Sequence, residues 1–144
     1  MEVNRELHPD FWKYLKHKNQ ELIDLYIDLR DFVLSIHPEC NELLYHTHAL
    51  TSLYSVSEKM GDAFCMIPIY TNHLNLGFNK GVLLEDSSNL LKGTGKLIRH
   101  IAINDKNDYR NNDVKKLIIS AIEISMEDTN NPMTKGGLVI SKIK

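Results

Sequence analysis

Apolar positions along this chain follow two rhythms, and the change between them divides it into parts. Leu22, Leu25, Tyr26, Leu29, Phe32, Val33 and Ile36 recur at i, i+3, i+4 and i+7. That spacing predicts a helix over about 19–36 with a single buried stripe. Ahead of it, Pro9-Asp10 reads as a helix start, because proline costs little in a first turn whose N–H groups are unpaired anyway. Phe11, Trp12, Tyr14 and Leu15 then give a short apolar patch. His37-Pro38 closes the long helix, since the residue before a proline avoids helical geometry.

From about 42 to 103 the period falls to two. Strands are predicted over 43–46, 50–56, 64–70, 73–79 and 97–103. Gly61-Asp62 and Thr71-Asn72 are turn signals, and short connections between successive strands argue for antiparallel pairing. Pro68 lacks a ladder donor, so its strand is expected at an edge or a bulge. The stretch 81–91 reads as an irregular crossing with a helical turn at 87–91. Helical spacing returns at Val114, Leu117, Ile118, Ala121, Ile122 and Ser125, capped by Asn112 or Asp113 and running to about Met126. Thr129-Asn130-Asn131-Pro132 stops that helix. The tail, 128–144, with Leu138-Val139-Ile140, is either a frayed end or a short added strand.

The whole is expected to be one α+β domain over 1–144, helical in its first 40 residues. A five-stranded, mostly antiparallel sheet carries the N- and C-terminal helices on one face. The opposite face is then polar, covered by a partner or used as a site.

Composition narrows the function classes. The chain has 144 residues, 42% hydrophobic and 25% charged, which excludes a disordered chain, a fibre and a disulfide miniprotein. With 17 basic and 19 acidic residues there is no cationic excess for a phosphate backbone, so nucleic acid is not an expected partner. No apolar run approaches the length of a membrane span, and no membrane partner is expected. Cys40 and Cys65 form no CxxC, and the N-terminus has no secretory pattern. A cytoplasmic protein is the expectation.

The phrases His73-Leu74-Asn75-Leu76-Gly77-Phe78, Gly93-Thr94-Gly95-Lys96 and Arg99-His100, taken in order, resemble the YdhG-like domain-of-unknown-function family. Its members are bacterial proteins sometimes grouped with frataxin-like iron chaperones. The resemblance spans about 41–140; the first 40 residues match only in being helical. It implies a frataxin-like helix–sheet–helix sandwich and no established enzymatic activity, with an iron role for some members.

Three groups of residues carry candidate chemistry. Glu21, Asp24, Asp28 and Asp31 fall within roughly an 80° arc of the long helix, where carboxylates at i, i+3 and i+4 approach one another. Hard oxygen donors in such a row suit a labile cation such as Fe²⁺, Mn²⁺ or Ca²⁺; an ordinary solvated face is the plainer alternative. Gly93, Thr94, Gly95 and Lys96, followed by Arg99 and His100, are a candidate anion nest. The P-loop spacing is absent, and a turn that needs positive φ also accounts for the glycines. His46 and His48 would share a strand face, with His73 and His100 on other strands; His-x-His alone is half a zinc site, and structural hydrogen bonds explain these histidines as well. No GxSxG is present and neither cysteine has a basic local setting, so nucleophilic catalysis finds no support.

The expected function is therefore a non-enzymatic binding or carrier protein, handling iron through the acidic helix. The alternatives are an anion or small-molecule site at the Gly93–Lys96 turn, and a protein-interaction module or homodimer using the uncovered sheet face.

Overall fold

The computed structural model of the protein describes residues 5–129 and 136–144. Helix α1 (Pro9–Leu15) has proline in its first turn, and its cap, His8, accepts from the Asp10 N–H through Nδ1. Helix α2 (Gln20–Ile36) is capped by Asn19, whose Oδ1 takes the Leu22 N–H at 2.8 Å, and ends at His37-Pro38 as its sequence predicts. Strands β1 (Asn41–His46), β2 (Leu50–Ser55), β3 (Ala63–Ile69), β4 (Leu74–Phe78) and β5 (Arg99–Ile103) follow. Helix α3 (Asn112–Asp128), capped by Asn111, and strand β6 (Val139–Ser141) complete the chain.

The class is α+β. The sheet has six strands rather than five, in the order β5-β4-β3-β2-β1-β6. The additional strand comes from the tail: β6 pairs with β1 in parallel, with Leu43 opposite Ile140, so the sheet is mixed. The frayed alternative for 138–141 is set aside, while 130–135, including the predicted Asn130-Asn131-Pro132 stop, lies outside the described residues.

Pro68 corrects a second expectation. It occupies an interior strand, β3, opposite Thr51. The cost is a gap: β3 and β4 register at Met66–Gly77 and Ile69–Leu74, with no partners recorded between. The tight turn predicted at Thr71-Asn72 is present, closed by Tyr70 N–H to His73 C=O at 2.8 Å. No helical turn forms at 87–91. Asp86 instead binds the N–H groups of Leu90 and Leu91 through its two carboxylate oxygens, each at 2.8 Å, and Asn89 takes a φ of 54°.

All three helices bury their stripes against one sheet face. Phe11 and Leu15, then Tyr26, Leu29 and Val33, then Val114, Leu117 and Ile118 join Leu44, Leu50, Ile67, Leu76 and Ile101 in one core. On the opposite face Leu43, Leu53 and Ala63 are buried beneath Tyr45, Met66 and Ile140.

Hydrophobic periodicity does not foretell the ionic cluster inside this core. Glu42, at 1% exposure, faces the helices from β1 and accepts two hydrogen bonds from Arg30 of α2, at 2.8 and 2.9 Å. Tyr54 donates to the same carboxylate at 3.1 Å, and Ser52 links Tyr54 to Tyr26. Arg30 also donates to the carbonyls of Arg5 and Glu6, while Arg5 donates to those of Pro38 and Cys40. Burial pushes the Tyr26 hydroxyl well above its ordinary pKa, and the Glu42 charge adds to the effect.

Removing Arg30 takes away the two-point partner of a buried carboxylate and leaves Glu42 only Arg5 Nη1, 3.9 Å away, and the Tyr54 hydroxyl. Arg30→Met alone is expected to cost about 3–5 kcal/mol of unfolding free energy. Arg30→Met combined with Glu42→Leu should recover a large part of that loss. Urea denaturation of the two singles and the double checks this; equal losses for Arg30→Met and the double would contradict it.

Candidate functional site

The sequence-predicted acidic row is split by the fold. Glu21 and Asp24 project from the first turns of α2 into a cleft of about 520 Å³. Its apolar lining is Leu22, Leu25 and Ile103, and its rim includes His73 from the β3–β4 turn and Asp105 and Lys106 from the loop after β5. Asp24 accepts from Gln20 at 2.8 Å, and Asp105 caps its own loop by accepting from Asn107 N–H at 2.8 Å. A second cleft of about 390 Å³ shares Asn19 and Asn72 with the first and is lined by Tyr14, His17, Lys18 and His46.

Asp28 is engaged elsewhere. It accepts from Arg110 Nε at 2.7 Å, from Arg110 Nη2 at 3.0 Å and from the Tyr109 hydroxyl, with Lys106 Nζ at 3.8 Å. Burial would raise its carboxyl pKa, but the hydrogen bonds from Arg110 and Tyr109 and the charges of Arg110 and Lys106 outweigh that and hold it below the ordinary value. Asp31 is exposed farther along α2. Among the described residues no group of three or more His, Cys, Asp or Glu side chains is arranged to hold a metal ion.

Nor do the histidines gather. His46 ends β1 and packs against Tyr14 with ring centroids 4.2 Å apart, tilted by 35°, and His48 lies past the strand end, so the two do not share a strand face. His73 stacks on Tyr70 at 4.7 Å. His100 is opposite Gly77 on the sheet face away from the helices.

The Gly93–Lys96 turn has its own logic. Lys92 and His100 exchange two backbone hydrogen bonds of 2.8 and 2.9 Å, closing the loop. Gly93 has φ +126°, and a Cβ there would also stand 3.3 Å from the Ile98 carbonyl, so both conformation and space call for glycine. Gly81 packs so closely on Arg99 that a Cβ would meet the Arg99 Cβ at 2.5 Å. Arg99 Nη1 donates to the carbonyls of Gly95 and Ile98, at 2.6 and 2.8 Å. The turn thus aims carbonyls at its own guanidinium, whereas an anion nest presents N–H groups.

Both cysteines are buried thiols. Burial pushes Cys40 up to about 12 and raises Cys65 as well. No helix of the described residues is long and apolar enough to cross a membrane.

In comparisons with known proteins, no family model, curated protein or solved structure matches the chain.

Two outcomes are expected from these environments. Asp28 contributes stability that is fully present above the ordinary carboxyl pKa of about 3.9 and lost as pH falls through its lower folded value. Asp28→Asn should therefore be less stable than the parent by about 1–2 kcal/mol at neutral pH, with the gap narrowing in acid; urea titrations at a series of pH values measure it. Second, native protein at mildly alkaline pH should resist alkylation by iodoacetamide at both cysteines, reacting only as fast as it opens; rapid native labelling of either would contradict the buried-thiol assignment.

Proposed function

We propose that the protein is a non-enzymatic binding or carrier protein that takes a small cation in the cleft beneath the start of α2. One observation carries the reading: Glu21, Asp24 and Asp105 line a single cleft against one lysine, giving a negative rim over an apolar floor. A concave site with a few convergent polar groups is the usual form of a small-ligand pocket.

The iron version of this reading, drawn from the YdhG-like resemblance, belongs to the same place. It relies on Glu21 and Asp24 rather than on the full row of four, because Asp28 is committed to Arg110 and Tyr109. Two carboxylates would hold Fe²⁺ weakly, with water filling the remaining positions. An organic amine is the other member of the class, its charge at the rim and its carbon chain on Leu22 and Leu25. Family membership remains a proposal resting on the ordered phrases between His73 and His100. The anion reading at Gly93–Lys96 is weakened by the inward turn of Arg99.

Calorimetric titration with Fe²⁺ under anaerobic conditions, and separately with spermidine, tests the site. Saturable heat is expected for one of the two, with at least about tenfold weaker binding in Glu21→Gln/Asp24→Asn, since each lost charge-assisted contact is worth about 1.5–3 kcal/mol. Heat that is absent for both ligands, or unchanged in the variant, would overturn it.

A further inference from the structure

The two clefts that share Asn19 and Asn72 differ in charge. The smaller one, of about 390 Å³, has no carboxylate in its lining. It presents Lys18 and two histidines, His17 and His46, beside Tyr14, Thr71 and Asn72. Its volume falls within the range of small-ligand pockets. The bias in charge extends beyond the lining itself. The stretches of chain that build this cleft, 11–20, 43–57 and 63–84, contain no Asp or Glu, and the first of them carries Lys13, Lys16 and Lys18. The acids that flank these stretches are occupied or face elsewhere. Asp10 accepts from the Ser141 hydroxyl at 2.6 Å, Glu42 is buried on Arg30, and Glu21 lines the neighbouring cleft with Asp24.

Backbone contacts hold the cleft in shape. The Lys18 N–H donates to the Leu15 carbonyl at 2.9 Å, Asn19 caps α2, and the Tyr70–His73 backbone bond closes the turn that bears Thr71 and Asn72. The rings of Tyr14 and His46, 4.2 Å apart, and the buried Leu50 supply carbon surface. The polar side chains, in contrast, do nothing for the fold. Among the described residues, no hydrogen bond or ion pair engages the side chain of His17, Lys18, Thr71 or Asn72. Each of the four can donate a hydrogen bond. The N-terminal end of α2, positive by its dipole, opens at Asn19 beside them. A set of uncommitted donors drawn from separate segments, with a lysine and no acid among them, suits an anion. A carboxylate offers such a set two oxygens, whereas a phosphate offers three and more charge. Glu21 and Asp24 in the next cleft would repel a polyanion laid along the surface, so the ligand is small.

We propose that the cleft between the α1–α2 connection and the β3–β4 turn binds a small organic phosphate monoester. Lys18, His17, Thr71 and Asn72 take the phosphate oxygens, and the organic part rests on Tyr14, His46 and Leu50. This site is separate from the cation cleft beneath the start of α2 and does not depend on it.

Calorimetric titration in phosphate-free buffer tests it, with phenyl phosphate, inorganic phosphate and benzoate as probes. Saturable heat is expected for phenyl phosphate. Inorganic phosphate should bind more weakly because it leaves the carbon surface uncovered, and benzoate more weakly because it satisfies fewer donors. Lys18→Gln/His17→Gln should weaken phenyl phosphate at least about tenfold, and Thr71→Ala, in a different element, by about two- to tenfold. Unchanged thermal midpoints confirm that both variants are folded. Glu21→Gln/Asp24→Asn, which disables the cation cleft, should bind phenyl phosphate at least as tightly as the parent; weaker binding there would overturn the separate site. The proposal also fails if phenyl phosphate gives no saturable heat, if the folded Lys18→Gln/His17→Gln variant binds it as the parent does, or if benzoate binds as tightly.

Discussion

A carboxylate and a guanidinium buried together dictate how the rest of this molecule is assembled. Neither Glu42 nor Arg30 tolerates the interior alone, because desolvation of a lone ion costs several kcal/mol or more. Their two-point contact, 2.8 and 2.9 Å long, joins the middle of α2 to the start of β1. The remaining polar capacity is taken by Tyr54 and by the carbonyls of Arg5 and Glu6, which draws the segment ahead of α1 onto the same point. Apolar packing alone would permit α2 to roll or slide over the sheet with modest loss. A bidentate ionic contact is directional and does not.

That restraint reaches the candidate site. With Arg30 turned inward, the 100° step of the helix fixes where every other residue of α2 points. Glu21 and Asp24 are brought to the end of the sheet, beside the β3–β4 turn, and Asp28 to the loop that bears Tyr109 and Arg110. Four carboxylates that share one arc on an isolated helix are therefore separated, with Asp31 exposed farther along α2. One pair faces a cleft and the next acid holds the loop before α3.

Much of the architecture was legible because it rests on local rules. The apolar stripes of α2 and α3, the Thr71-Asn72 turn and the alternation of the strands are short-range signals, and they point to an α+β fold with helices on one face; the cap of α3 is Asn111, one residue ahead of the expected Asn112 or Asp113. What was missed is long-range. The three apolar residues at 138–140 cannot announce a parallel partner almost a hundred positions earlier, so from sequence alone a frayed end and a strand are equally open there. Pro68 misled because the rule describes an intact ladder, and this ladder is interrupted between β3 and β4. Glu42 sat in a strand pattern without signalling that Arg30 would neutralise it, and the acidic row gave no hint of Arg110, 82 positions away. A buried charge at an inward-facing strand position is the one clue available beforehand, since such a group demands a partner.

The margins of the sheet carry a last consequence. Beyond β1 the free side is taken by β6, only three residues long, and beyond β5 the chain doubles back so that Lys92 pairs with His100. Long bare strand edges are templates for another chain, and short or self-covered ones are not. Copies of this protein are thereby denied the simplest route to runaway polymerisation by hydrogen-bonded accretion. Association through side chains, which can be selective and undone, is what such margins favour.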